Sequence, residues 1–270
     1  MNRLPTPLEA LLWAWDFDAT VVIGSILLLA GYFVTHRDNL SRSPWFVAGV
    51  ALMFVALESP LDALSDSYLF SAHMLQHLIL LLAVPILLLL GLSRRFVDWI
   101  LRSPFNRATE RALGNPIVAW TLGMSALWVW HLPVLYNAAL ADENIHIVEH
   151  LCFLVSATIF WWPIFTPEPR CRMATMPAVV YLALGAAASS LLAIWLTFEK
   201  PGLYPAYLSP TDPLGILPML REQWGLTPAV DQEVGGLIMW IPGGMVYLAA
   251  IVGVLARWYA DPESEAAATA

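Results

Sequence analysis

Of 270 residues, 59% are hydrophobic and only 13% charged, against roughly 25% charged in ordinary soluble domains. That balance excludes a water-soluble globular domain and places the chain among membrane proteins. The formal net charge of −8 at pH 7 says less than the way the charges are distributed.

A spanning helix needs about 20 mainly apolar residues. Residues 1–18 carry Glu9, Asp16 and Asp18 instead of a basic leader, so the first apolar run is expected to stay in place as a span and not be cleaved. Seven runs then follow in order: 19–35, 44–57, 67–93, 115–141, 146–165, 173–198 and 234–256. The loops are short, so the runs are expected to form one seven-span transmembrane domain over 1–258, all α-helical, with a disordered tail at 259–270 (ending DPESEAAATA). Pro85, Pro133, Pro163 and Pro242 fall inside these runs and are expected to kink them.

Basic residues fix the orientation. Arg37, Arg42, Arg94, Arg95, Arg102, Arg107, Arg111, Arg170, Arg172 and Arg257 fall in alternate loops, 10 of the 13 Lys and Arg, leaving Arg3, Lys200 and Arg221 for the other side. By the positive-inside rule the N-terminus is expected outside and the C-terminus in the cytoplasm. Segment 94–114 mixes arginine with apolar residues and reads as an amphipathic stretch on the anionic cytoplasmic lipid surface, the ordinary orienting device and not a nucleic-acid site. The longest external segment, 199–233, carries six prolines and reads as an irregular cap or a partner-docking surface. Cys152 and Cys171 fall on opposite sides, which argues against a disulfide.

Five of the six histidines gather near the outer face. His73 and His77 sit four apart early in the third run, His146 and His150 four apart early in the fifth, and His131 near the outer end of the fourth. Residues four apart share a helix face, about 6 Å apart along the axis, so each pair points one way, and Glu149 joins the second stripe. Ionisable side chains are costly in hydrocarbon and mark working sites, and imidazole is the commonest metal-ligating side chain. Two facing helices with such pairs can build a four-ligand site. His131 can instead bond backbone freed by Pro133, and Glu149 can ligate, orient a histidine or accept its proton. His36 reads as an ordinary cytoplasmic surface residue.

An acidic rim surrounds this end: Glu58, Asp62, Asp66, Asp142, Glu143, Asp231 and Glu233. It is either a solvated edge or a funnel for cations. Met74 and Met239 add thioethers that favour reduced copper, if they are not packing residues. The string His146–Ile–Val–Glu149–His150 also spells H-x-x-E-H, the inverted zinc-protease pattern, in which the glutamate would act as general base on a zinc-bound water.

The strings ALESPLDALSDSYLFSAHMLQHLILLLAVPILLLLG, WHLPVLYNAAL, HIVEHLCFLVSATIFWWP and DQEVGGLIMWIPGGMVYL resemble the multi-spanning CtaG family of bacterial cytochrome c oxidase assembly factors, over about residues 58–247. The resemblance implies a seven-span plasma-membrane protein without enzymatic turnover, which handles copper for a haem–copper oxidase. Its implied partners are oxidase subunits or another copper chaperone, and membrane lipid. On that reading His73, His77, His131, His146 and His150 match the family's histidine motifs, with Glu149, Glu58, Asp62, Met74 and Asp231 as supporting or access residues. Spacing alone allows copper, zinc or a bis-histidine haem, so an intramembrane zinc hydrolase and a haem b electron-transfer protein stay open as alternatives.

Overall fold

The computed structural model describes residues 6–36 and 40–260, and among these every regular element is helical. The chain runs through α1 (Pro7–Leu12), α2 (Ala19–Thr35), α3 (Ser43–Glu58), α4 (Pro60–Ser67) and α5 (Phe70–Gly91). It continues through α6 (Arg94–Ile100), α7 (Pro104–Leu113), α8 (Pro116–Trp130), α9 (Pro133–Ala141), α10 (Glu143–Phe165), α11 (Thr175–Phe198) and α12 (Pro228–Ala260). Residues 261–270, most of the expected tail, lie outside the described residues, whereas Tyr259 and Ala260 still belong to α12.

Local chemistry starts these helices. Asp18, Ser59, Asn115 and Asp142 each stand just before a helix and accept from its first free N–H groups, the ordinary role of such residues at that position. Proline supplies the first position of α4, α7, α8 and α9, where its missing N–H costs nothing. Pro133 therefore begins a new helix and does not kink an old one, and the run expected at 115–141 is two helices meeting at His131 and Leu132.

Four helices, α5, α10, α11 and α12, are long and apolar enough to cross a membrane. Taken as one span each, the bent pairs α3–α4 (48°) and α7–α8 (66°) make up to six, and α2 is apolar but shorter. Half of the α5 span is buried, against 28–39% in the other three, so α5 is the central helix. It carries His73 and His77. Just past them it widens into a π-helical turn at Ile79–Ala83. Pro85 cannot donate to the Leu81 carbonyl one turn back, and the Trp161 indole N–H takes that carbonyl instead at 3.0 Å.

α12 packs along both α5 and α11. Gly235 and Gly236 permit this: a Cβ on Gly236 would collide with the Thr197 hydroxyl and lie 2.7 Å from its amide nitrogen, and one on Gly235 would lie 2.5 Å from the Phe70 ring. α10 lies between α5 and α8, and α2 rests mainly on α3. Leucine, isoleucine and valine side chains such as Leu27, Val155, Leu184 and Val252 point outward, as helices bordered by lipid require.

At one end the arginines gather. Arg42 reaches the carbonyls of Leu90 and Leu92, Arg94 and Arg170 bind Glu168, and Arg257 reaches the Ile164 carbonyl. Glu168 is fully buried in the loop between α10 and α11. Burial alone would push its carboxyl up, but the hydrogen bonds from Arg170 overcome this and hold it down at about 2. His36, read from the sequence as a surface residue, is only 3% exposed. Its ring stacks on Tyr32 at 4.2 Å, and Nε2 accepts from the Ser93 amide. At the opposite end, residues 199–227 fold as an irregular cap, with a 3-10 turn at Pro205–Tyr207 and a π turn at Met219–Gln223. Leu11, Tyr68, Leu69, Ile216, Met219 and Leu220 form its own small apolar core.

Candidate metal centre

The helix that presents His73 and His77 is anchored by a residue far away in sequence. Leu69, before α5, offers no capping side chain. Asp231 in the first turn of α12 does the work: its carboxylate accepts from the amides of Phe70 (2.9 Å) and Ser71 (3.0 Å) and from the Ser71 hydroxyl (2.6 Å). A carboxylate on the first amides of a helix also meets the positive end of its dipole. Gln76, fully buried on the same helix, accepts from Ser65 and donates to the Ala56 carbonyl and to Asp62, tying α5 to α3 and α4.

Five imidazoles converge. Ring centroids are 4.2 Å apart for His73–His77, 4.1 Å for His146–His150, 5.3 Å for His73–His146, 5.7 Å for His77–His150 and 5.5 Å for His77–His131. The donor atoms of His73, His146 and His150 all lie within 4.8 Å of one another, and so do those of His73, His77 and Glu149.

Hydrogen bonds fix the tautomers of two rings. Tyr207 donates its phenolic proton to the Ser65 carbonyl at 2.8 Å, so His73 Nδ1, 2.9 Å from the same oxygen, is the donor there. His73 Nε2 then carries the lone pair and accepts from His77 Nε2 at 2.7 Å. At the end of α8, His131 Nδ1 donates to the Leu127 carbonyl at 2.6 Å, a group the ending helix leaves free. That leaves the Nε2 lone pair of His131 for the interior. A hydrogen-bond partner on the other nitrogen, such as a backbone carbonyl, is the usual way a ligating imidazole is oriented, and here Tyr207 plays that part for His73.

The atoms without partners are the clearest sign of what the cluster suits. His77 Nδ1, His131 Nε2, His146 Nε2, His150 Nε2 and both oxygens of Glu149 are buried with no hydrogen-bond partner. Buried polar groups are nearly always satisfied, so each exception calls for an explanation. Six at one place, all of them potential ligand atoms, fit a cation. The donor set of neutral imidazoles and one carboxylate suits copper or zinc.

The other sequence candidates fall around this core. Asp62 lines an acidic groove of about 880 Å³ beside His146 and His150, and Asp66, at its edge, stands 3.7 Å from His146 Nδ1. Glu58 accepts from the Asp18 amide, close to the start of α2. Met74 packs against Gly235 in the core, and Met239 lines a small cavity below His77 together with Met124. Cys152 and Cys171 are free.

A description of known families matches residues 26–261: cytochrome c oxidase caa3 assembly factor (Caa3_CtaG). The chain belongs to this family. Curated relatives include the uncharacterized proteins Mb0105 of Mycobacterium bovis and MT0111 of Mycobacterium tuberculosis, each 24% identical over 95% of this chain and 41% of their own length. The uncharacterized protein ML1998 of Mycobacterium leprae is 23% identical over 90% of this chain and 39% of its own. The chain thus spans about two fifths of these relatives. No solved structure matches it.

Three tyrosines of this Caa3_CtaG member were not singled out by sequence reasoning. Tyr207 holds His73, Tyr136 lies 3.3 Å from the Tyr207 oxygen, and Tyr204 donates to the His131 carbonyl at 2.8 Å while stacking on Tyr136. Tyr136 lies three residues beyond Pro133 in the WHLPVLYNAAL string, which could have marked it. Tyr204 and Tyr207 lie in the proline-rich cap, where no local pattern distinguishes them.

Proposed function

We propose that this chain binds a copper ion at the imidazole cluster and passes it to a haem–copper cytochrome c oxidase while that enzyme is assembled, without catalytic turnover of its own. Family membership implies a part in cytochrome c oxidase assembly. The observation that carries the metal reading is the set of six unpartnered, buried ligand atoms on His77, His131, His146, His150 and Glu149. When bound, the ion is cargo. The chain's residues bind it and exclude water: α5 and α10 aim the paired imidazoles, Tyr207 and the Leu127 carbonyl fix two of the rings, and Met124 and Met239 nearby suit reduced copper.

The same reading takes α2 as a seventh span beside the four long helices and two bent pairs. It puts the arginine end in the cytoplasm of a bacterial plasma membrane and the histidine end outside, in keeping with the positive-inside rule. Oxidase subunits or another copper chaperone are the partners of such a carrier, and lipid surrounds it.

The zinc-hydrolase alternative asks Glu149 to act on a water held by His146 and His150. Glu149 instead faces His77, 3.8 Å from its Nε2, and groups with His73 and His77. A bis-histidine haem needs a flat slot between two rings, and these rings pack mostly tilted or edge to face. The test is metal analysis of the purified chain together with oxidase activity in a deletion strain. Bound copper, lowered oxidase activity and partial rescue by added copper are expected. A metal-free protein, or normal oxidase in the deletion strain, overturns the proposal.

A further inference from the structure

We infer that the cluster is two overlapping positions for one ion, an outer one of His73, His146 and His150 and an inner one of His73, His77 and Glu149, and that the ion moves from the first to the second while His73 holds it throughout. This rests on the reading that the cluster binds metal. Both sets of donor atoms fall within 4.8 Å, and His73 belongs to each. His73 has a single nitrogen to give, because Nδ1 is spent on Tyr207. Both trios therefore cannot be closed at once, and a shared ligand makes them successive stations.

Exposure sets the direction. His146 and His150 line the groove between α2 and α10, whose walls also carry Asp16, Asp62, Asp66 and Glu143. Carboxylates around a low-dielectric cleft raise the local concentration of cations, and Asp66 stands beside His146. The residues particular to the inner trio have no such access: Glu149 is 0% exposed and His77 1%. The outer trio asks only that His73 Nε2 release the hydrogen bond it accepts from His77, since His146 Nε2 and His150 Nε2 have no partner. The inner trio asks in addition that His77 Nε2, the donor of that 2.7 Å hydrogen bond, give up its proton and turn ligand.

The chemistry of the two stations differs. Three neutral imidazoles hold a borderline or soft cation without changing its charge, whereas the inner station adds an anion, which stabilises the ion where water is absent. In the transfer, bonds from the ion to His146 and His150 break, and bonds to His77 and Glu149 form. The His77 proton passes from Nε2 to its unpartnered Nδ1, so His77 stays a neutral imidazole while Nε2 takes the ion. No electron moves, so the oxidation state is unchanged.

The experiment follows transfer of Cu⁺ from a coloured Cu⁺–bicinchoninate complex to the detergent-solubilised full chain by stopped-flow absorbance. A second measurement removes bound Cu⁺ with excess chelator. His146→Asn with His150→Asn should slow loading about tenfold or more and leave one Cu⁺ per chain at equilibrium. Glu149→Gln should load at the wild-type rate and release to chelator about tenfold faster. These are the sizes that loss of a metal-site partner ordinarily produces. Asp66→Asn should slow loading and leave release unchanged. Unaltered elution and melting profiles keep misfolding out of the comparison, and a variant that fails them is replaced by the matching His→Gln change. Loss of stoichiometric binding in the outer double variant, or equal effects of outer and inner variants on both rates, overturns the relay while leaving a single metal site standing. Absence of Cu⁺ binding by the unaltered chain overturns the metal reading itself.

Discussion

Asp231→Ala should be among the most damaging single changes available outside the imidazoles. The carboxylate accepts from two buried amides, those of Phe70 and Ser71, and from the Ser71 hydroxyl, at 2.6–3.0 Å, and Phe70 and Ser71 are only 2% and 7% exposed. Alanine leaves both amides without an acceptor, at about 1–3 kcal/mol each, while the hydroxyl can turn to another acceptor. The expected loss is about 2–6 kcal/mol, roughly 4–24 °C in melting temperature at about 2–4 °C per kcal/mol for a chain of this size. Asp231→Asn keeps one acceptor oxygen and should lose about half as much. The assay is thermal unfolding of the purified protein in detergent, read alongside Cu⁺ affinity, because an unanchored α5 start lets His73 wander. If Asp231→Ala melts with the unaltered protein, the carboxylate does not anchor α5.

Tyr207→Phe removes the oxygen that holds His73 Nδ1 and should weaken metal binding about tenfold, while the stranded Ser65 carbonyl and His73 N–H cost about 1–3 kcal/mol each; an unchanged affinity would show that the phenol does not orient the ring. His36→Ala opens space between Tyr32 and Phe96 and strands the Ser93 amide, so it should cost about 1–3 kcal/mol and leave metal content intact. Both halves are checked by melting and elemental analysis of one sample. Glu168 is held low, at about 2, so its paired carboxylate contributes stability that is fully present above the ordinary carboxylate range and is lost as pH falls from about 4.5 towards 2. Glu168→Gln should flatten the melting-versus-pH curve over that window, and an unchanged curve would mean the Arg94–Arg170 pair does not depend on it.

The sequence by itself determined where the long apolar helices run and what each presents on its own face. The apolar run at 19–35 has the bounds of α2, Asp18, Asn115 and Asp142 mark helix starts, and the i, i+4 spacing of His73/His77 and His146/His150 puts each pair on one side. Those features depend on rules that act within one or two turns, and the sequence carries them directly. The family motifs add the order of the histidines along the chain. Only the tertiary structure decided how the faces meet: that Glu149 turns to His77 and not to a water at its own pair, that Asp231 anchors a helix 160 residues away, and that Tyr207 from the cap holds His73 across 134 residues. It also buried His36, which reads locally as a polar residue beside an arginine at a span's end. Such contacts depend on how helices stack, where glycines such as Gly235 and Gly236 allow close approach and where a cap folds back, and no short-range pattern encodes the partner across so many residues.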